Sequence, residues 1–149
     1  MHRDSIPALF AFYPQPDMHD STATIAYLDQ GGITLPDRDY YIKDDPKSVE
    51  TRQKYVEHVQ KMFVLAGDKP DVATAGAKTV LTVETGLAQA SMDRTARRDP
   101  KSRDHKMTVA EIAAAAPNFD LTVYFADCLL YTSVRGAGVA QHVRAGVAS

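Results

Sequence analysis

The stretch Asp29–Tyr41, D-Q-G-G-I-T-L-P-D-R-D-Y-Y, decides the local fold because several of its residues each restrict or free the backbone in a specific way. Gly31 and Gly32 accept positive φ at little steric cost, which permits a sharp turn. Pro36 fixes its own φ and favours an extended conformation at Leu35. The pattern predicts an ordered corner, and the name "corner" is kept below for this stretch.

The second half of the corner carries its charged and aromatic side chains. Arg38 stands between Asp37 and Asp39, and the adjacent Tyr40 and Tyr41 each combine an apolar ring with a polar tip. One interpretation is structural, with a paired arginine and two packed tyrosines. The other is a loop that contacts a ligand through the same groups. We expect the structural role, with Arg38 paired to one of its flanking acids or to another acid.

Two apolar segments precede the corner. Ala8–Tyr13 is aromatic and apolar and is bounded by prolines, which predicts a short strand. Thr22–Leu28 contains several β-branched residues and fits either a strand or a short helix capped by Ser21. We favour the strand, so that residues 8–28 form a β-hairpin.

Two long helices are predicted after the corner. The first runs from Pro46 to about Ala66, with Asp45 as its N-cap and Gly67 at its C′ position. The second runs from Pro70 to about Ser91. Both show apolar residues at helical spacings, Val49, Val56, Val59, Phe63 and Ala66 in the first and Val72, Ala73, Gly76, Val80, Val83, Leu87 and Ala90 in the second. The short connection between them predicts an antiparallel pair.

A charged connector, Asp93–Lys106, follows the second helix. Its acids and cations are interleaved, which favours a solvated loop over a contact with an anion or a partner. Thr108 and Glu111 then form a T-x-x-E capping box that opens a further helix. Another helix is expected from Leu121 to about Ala126, capped by Asp120.

The end of the chain differs in composition from the rest. After Asp127 there is no acid, and Gly, Ala and Val recur without a helical or strand period. We expect residues 1–125 to form the domain and residues 126–149 to be a disordered or misread tail.

The composition excludes some function classes. The 149 residues are 44% hydrophobic and 24% charged, which is typical of a globular domain with its own core. The net charge of -2 gives no footprint for nucleic acid, and no run approaches the roughly 18 apolar residues of a membrane span. We therefore expect no nucleic-acid partner and no membrane segment in this chain.

The histidines lack the spacing of a zinc peptidase site. Such a site places H-E-x-x-H on a helix, with two imidazoles on one face and the glutamate beside the metal-bound water. No two of the five histidines are four apart, and these are His2, His19, His58, His105 and His142. The single cysteine, Cys128, has no neighbouring histidine, and Glu84 has no evident acid–base partner. We predict no catalytic and no metal-binding residue here, and the sequence identifies no substrate-binding residue.

Several segments together resemble the neprilysin and endothelin-converting-enzyme family of zinc metallopeptidases. The corner resembles the family's D-Q-x-G-L-x-L-P-x-R-D-Y-Y, and V-L-T-V-E-T-G-L-A resembles its V-x-x-x-E-x-x-L-A helix. R-R-D-P-K-S-R-D-H-K-M-T-V-A-E-I is similar to R-R-D-P-x-x-x-x-H-K-M-T-x-x-E-L, and A-P-N-F-D-L-T-V-Y-F to P-x-F-D-W-x-x-Y-F. The resemblance covers about residues 7–125, with Leu121 where the family usually has Trp.

By this resemblance, the chain is a segment of a mainly α N-terminal domain that covers a substrate chamber, with a short β-hairpin near its start. The parent would be a zinc-dependent metalloendopeptidase, and its zinc ligands and acid–base residues would lie downstream. Zinc is therefore expected in the parent and not on this chain. The implied partners are the C-terminal catalytic domain of the same parent and peptide substrates.

We expect a fragment that is cut at both ends, and a stand-alone helical binding or scaffold module is the alternative. The resemblance is compatible with a periplasmic, secreted or membrane-anchored parent and does not choose among these locations.

Overall fold

The computed structural model describes residues 9–120, 123–124 and 142–145. In chain order, its strands and α-helices are β1 (Phe10–Pro16), β2 (Thr24–Gln30), α1 (Asp39–Ile42), α2 (Pro46–Leu65), α3 (Pro70–Ala90), β3 (Lys106–Thr108), α4 (Val109–Ala115) and β4 (His142–Ala145). Two short 3-10 helices, Ala96–Arg98 and Pro100–Arg103, lie in the connector. The predicted class, mainly α with a short hairpin near the start, is confirmed.

The chain divides into two compact units, each described by itself below. The helical unit is Gly32–Arg94. The sheet unit comprises the described residues up to Gly31 and from Thr95 onward. Among the described residues, no helix combines the length and the hydropathy needed to cross a membrane.

The hairpin of the sheet unit is an antiparallel pair. β1 and β2 are in register from Phe10 opposite Gln30 to Pro16 opposite Thr24. The strand interpretation is thus confirmed, and the alternative of a capped helix after Ser21 is wrong. Ile25 and Tyr27 are buried, since alternate residues of a strand point to the same face.

The sheet has four strands in the order β1-β2-β4-β3. β4 runs parallel to β2 and antiparallel to β3. This strand lies in the segment that was expected to be a tail, and its four residues are too few to show a period of two in the sequence. The expectation for 126–149 otherwise concerns residues outside the described part of the chain.

The capping box of α4 is confirmed. Thr108 Oγ1 accepts a hydrogen bond from the amide of Glu111 at 3.2 Å, and Glu111 Oε2 accepts one from the amide of Thr108 at 2.6 Å. This cap directs Ile112 into the core of the sheet unit, where it packs against Ala26, Leu28, Met107, Val109 and Phe119. Of the helix predicted from Leu121, only residues 123–124 are described, and they are helical.

Local signals define both ends of α2 as predicted. Asp45 accepts from the amide of Ser48 at 3.0 Å, with Pro46 in the first turn. At the other end Gly67 has φ of 107°, and the amide of Asp68 donates to the carbonyl of Phe63 at 3.1 Å, which is a Schellman arrangement.

The helices α2 and α3 pack as the predicted antiparallel pair, but α3 buries a different stripe. Val72 and Val83 are 53% and 49% exposed, so the prediction is wrong for these residues. The residues that α3 buries are Ala73, Ala77, Glu84 and Ala88. Three of them are alanines, and the ring of Phe63 from α2 lies close to Gly76, also on α3. The prediction ranked positions by hydrophobicity alone and therefore missed this packing.

Two glycines inside α3 provide a matched test of this packing. A Cβ on Gly76 would lie 3.2 Å from Cε2 of Phe63, whereas a Cβ on Gly86 would meet nothing within 4 Å. We expect Gly86→Ala to stabilise the chain by up to about 1 kcal/mol through helix propensity. Gly76→Ala should gain less or destabilise, because the ring must move. Chemical denaturation of both variants checks this, and equal gains would contradict the close approach of the ring.

Candidate functional site

Glu84 is a buried carboxylate at the centre of the helical unit. It lies on α3, is 8% exposed and accepts hydrogen bonds from three hydroxyl groups. Its Oε1 accepts from Thr34 Oγ1 and from the Tyr55 hydroxyl, both at 2.8 Å. Its Oε2 accepts from the Tyr41 hydroxyl at 2.6 Å. The carboxylate therefore joins the corner, α1 and α2 to α3.

Tyr41 connects this carboxylate to the backbone of the corner. The residue is 4% exposed, and its hydroxyl oxygen accepts from the amides of Thr34 at 3.1 Å and Leu35 at 2.8 Å. Burial raises the pKa of Tyr41, and the hydrogen bond to Glu84 raises it further. Burial also raises the pKa of Tyr55. Both phenols thus stay protonated and can donate to the carboxylate.

This arrangement is suited to positioning rather than to acid–base catalysis. The three hydroxyl hydrogen bonds occupy three of the roughly four acceptor sites of this carboxylate. It holds the sequence T-L-P-D-R-D-Y-Y against the helices. Tyr41 is packed as the structural interpretation predicted. The role of Glu84 was missed, since a glutamate within a helix carries no local signal for partners elsewhere in the chain.

The corner's acids pair with cations other than the one predicted. Asp37 lies 3.5 Å from Arg94 Nε, and Asp39 lies 2.6 Å from Lys43 Nζ. Within the described residues, Nε of Arg38 is buried and has no hydrogen-bond partner. The expected pairing of Arg38 with a flanking acid is therefore wrong. Asp39 pairs instead with the lysine four residues later, and Asp37 pairs with Arg94, which follows α3.

Arg52, on α2, donates hydrogen bonds to backbone carbonyls at the end of α1. Its Nη1 donates to the carbonyls of Tyr40 at 2.7 Å and Lys43 at 2.6 Å, and Nη2 lies 3.4 Å from Asp44. These bonds satisfy carbonyls that a short helix leaves without partners. The corner is thus held by α2 as well as by α3.

Three histidines have described side chains, His19, His58 and His105, and each has different surroundings. His19 Nε2 lies 2.7 Å from Asp104, and His105 Nε2 lies 3.1 Å from the carbonyl of Ser102. His58 is exposed on α2. The described residues contain no group of three His, Cys, Asp or Glu side chains placed to hold a metal ion. Zinc therefore has no fitting ligand set within them. His2 and Cys128 lie outside the described residues.

Two arginines of the connector contact the hairpin of the sheet unit. Asp29 at the end of β2 lies 3.4 Å from Nη2 of both Arg97 and Arg103, and its Oδ2 also accepts from the Tyr13 hydroxyl at 3.3 Å. Most residues of the connector are exposed, as the prediction of a solvated segment requires, but two of its arginines also form ion pairs within the sheet unit.

A second pair fixes the end of the connector. Asp17 has a side chain only 1% exposed, and its Oδ2 lies 2.6 Å from Nζ of Lys106, at the start of β3. Its Oδ1 accepts from the amide of His19 at 3.0 Å. The pair joins the turn of the hairpin to the third strand.

Replacing Lys106 with methionine should lower the free energy of unfolding by about 2–3 kcal/mol, because the buried carboxylate of Asp17 loses its cation. Lys101→Met is the matched control, since Lys101 is an exposed lysine of the same connector. Denaturation curves that shift equally for both variants would contradict a stabilising pair at Asp17.

The chain is similar in sequence to known metallopeptidases. The chain is 31% identical over 110 residues to endothelin-converting enzyme 1 of Cavia porcellus, which covers 72% of this chain and 14% of that enzyme. It is 28% identical over 121 residues to neprilysin-3 of Drosophila melanogaster, covering 81% of this chain and 15% of that protein. The chain thus spans about one seventh of the length of these relatives.

Solved structures share the fold. The zinc metalloprotease ZMP1 of Mycobacterium tuberculosis, crystallised with an inhibitor, superimposes with a TM-score of 0.83 at 24% identity, over 97% of this chain and 21% of that one. PepO from Lactobacillus rhamnosis superimposes with a TM-score of 0.77 at 18% identity, over 99% of this chain and 22% of that one.

The family match extends over nearly the whole chain. A sequence model of the N-terminal region of peptidase family M13 matches residues 1–143. The match includes the corner and both long helices, and it continues past the point where the resemblance of the motifs ends. The chain therefore belongs to peptidase family M13.

Proposed function

We propose that this chain is part of a zinc-dependent metalloendopeptidase and contributes to the domain that encloses the substrate chamber. The observation that carries the proposal is the match of residues 1–143 to the N-terminal region of the family. The names of the relatives, an endothelin-converting enzyme and a zinc metalloprotease, support peptide hydrolysis with zinc in the parent.

The zinc and the catalytic groups would come from a C-terminal catalytic domain of the same parent. Peptide hydrolysis of this class needs a metal-activated water and a stabiliser for the developing oxyanion. The described residues offer no metal ligand set, and the buried carboxylate of Glu84 accepts hydrogen bonds from three hydroxyl groups. The chain's own part in the reaction would be to admit and enclose the peptide.

The described contacts suit a domain that encloses a chamber. Such a domain must keep its shape when the chamber holds no peptide. In the helical unit, Glu84 and Arg52 fix the corner to two helices through side chains on separate elements. These contacts fix a non-repetitive segment through groups of the protein itself.

The test compares the full-length parent with the 149-residue chain. A quenched fluorescent peptide is mixed with each protein, with and without added zinc and with a chelator. We expect chelator-sensitive turnover by the parent and none by the chain alone. Turnover that co-purifies with the chain alone would contradict the proposal. A parent without any chelator-sensitive turnover would favour a binding or scaffold module instead.

A further inference from the structure

The side of α3 that faces away from its buried residues is exposed and almost wholly apolar. Its residues recur at spacings of three and four, which places them on one face of the helix. Val72 and Val83 are each about half exposed. This surface is called the outer face of α3 below, and it consists of six exposed residues, Val72, Ala75, Thr79, Val83, Gly86 and Ala90.

The charged side chains of α3 lie elsewhere on the helix. Glu84 is on the buried side, among three alanines. Asp71 and Lys78 are exposed, and Lys78 stands about 140° around the helix from Val83, because each residue turns an α-helix by about 100°. The helix is thus apolar on two sides, whereas a helix that packs on one side only usually carries polar residues on the other.

Covering the outer face would leave no polar side chain of this face without a partner. Thr79 is its one polar residue, and the threonine hydroxyl already donates to the backbone carbonyl of Ala75 at 3.1 Å. A polar group is costly to bury chiefly when its hydrogen bond is unmade, so this threonine adds little to the cost of burial. The face is therefore suited to a dry contact with another apolar surface.

The outer face also permits a close approach, because Ala75, Gly86 and Ala90 are small. A Cβ on Gly86 would meet nothing within 4 Å, so the space beside this residue is open in the part of the chain that the structure describes. Packed helices have axes about 8–10 Å apart, and the distance depends on the side chains at the contact. Small residues at helical spacing thus favour a second helix as the occupant of this face.

We propose that the outer face of α3 is covered in the parent by an apolar helix from outside these 149 residues. The inference rests on the proposed function, which makes the chain part of a longer metalloendopeptidase. The chain spans 14% of one relative and 15% of another, so most of such a polypeptide lies outside it. A helix of the same polypeptide is held at a high effective concentration, which a second copy of the chain is not. In the parent, α3 is then an internal helix with the network around Glu84 on one side and the partner helix on the other.

Thiol labelling of the full-length parent tests whether the face is covered. Val83→Cys is compared with Lys78→Cys, because both positions are exposed in this chain and only Val83 lies on the outer face. Each native protein is treated with a maleimide, and mass spectrometry of its peptides locates the alkylated thiol. We expect the thiol at position 83 to react at least about tenfold more slowly than the thiol at position 78, since it reacts only after a local opening. In urea the two thiols should react at the same rate.

The unfolding midpoint of the parent gives a second measurement. Val83→Lys should lower this midpoint, because a lysine on a covered face would bury its charge without a partner. Gln89→Lys is the control at an exposed polar position of the same helix, and it should leave the midpoint unchanged. If Val83→Lys yields no folded parent, the labelling of Val83→Cys decides.

The proposal is overturned if the two thiols react equally in the native parent, or if Val83→Lys and Gln89→Lys have the same midpoint. Protection of position 83 that disappears on dilution also overturns it, since the occupant would then be a second copy. The same protection in the monomeric 149-residue chain would place the occupant within this chain and overturn it too. Equal labelling in a parent with chelator-sensitive turnover rejects this inference alone, whereas protection in a parent without such turnover rejects only the proposed function.

Discussion

Replacing Glu84 with alanine should lower the free energy of unfolding by about 3 kcal/mol, the largest loss that we expect from a single substitution in the helical unit. The carboxylate is buried and accepts from Thr34, Tyr41 and Tyr55. Its removal leaves the buried Tyr41 hydroxyl without its acceptor and opens a cavity between helices. Thr34 is exposed and can return to water, which limits the loss.

The measurement is urea denaturation of purified protein, followed by circular dichroism. Gln89→Ala is the matched control, because Gln89 is an exposed polar residue of the same helix. Glu84→Gln should lose less stability than Glu84→Ala, because the amide oxygen of glutamine can still accept a hydrogen bond. Some loss should remain, because the amide nitrogen donates and the hydroxyl groups must reorient to accept from it. A loss in Glu84→Ala within about 0.5 kcal/mol of the control would show that the network is dispensable.

Hydrogen exchange can locate the effect. The amides of Thr34 and Leu35 donate to the Tyr41 hydroxyl, which Glu84 holds in place. In Glu84→Ala these amides should exchange faster than they do in the control, while amides in the middle of α2 should change less. Uniform acceleration over the whole unit would indicate global destabilisation without a specific role for the corner.

The elements that could be predicted from sequence are those encoded within a few residues. Asp45 and Ser48 are three apart, and Thr108 and Glu111 also are three apart, so their caps could be recognised in the sequence. Gly67 could be assigned because a positive φ at a helix end favours glycine. Such local features were predicted with nearly correct boundaries.

The candidate site depends on long-range pairing, which local patterns do not show. Glu84 and Thr34 are 50 residues apart, and Glu84 and Tyr41 are 43 apart. The buried face of α3 was therefore assigned partly to the wrong residues. This face contains a carboxylate and small residues, which a hydrophobic pattern does not reveal. The same limit applies to Asp29, whose arginine partners come from the connector.

The stability of the chain should fall steeply above about pH 10, where tyrosine ionises in an unfolded chain. The pKa of Tyr41 is raised by burial and by Glu84, and the pKa values of Tyr55 and Tyr13 are raised as well. Above that pH the unfolded chain loses protons that the folded chain keeps. Each such tyrosine can therefore reduce stability by up to about 1.4 kcal/mol per pH unit.

Tyr41→Phe separates the two roles of this hydroxyl. At neutral pH we expect a loss of about 2 kcal/mol, because Thr34 and Leu35 lose an acceptor and Glu84 loses a donor. Above about pH 10 the variant should lose less stability per pH unit than the native chain, since one protonated phenol is gone. At neutral pH, Tyr55→Phe is the control, because it removes a donor to Glu84 but leaves the two backbone amides bonded to Tyr41. The measurement is the denaturation midpoint of each protein across alkaline pH. If Tyr41→Phe and the native chain lost stability in parallel, this account would be wrong, because the folded state would then gain nothing from keeping Tyr41 protonated.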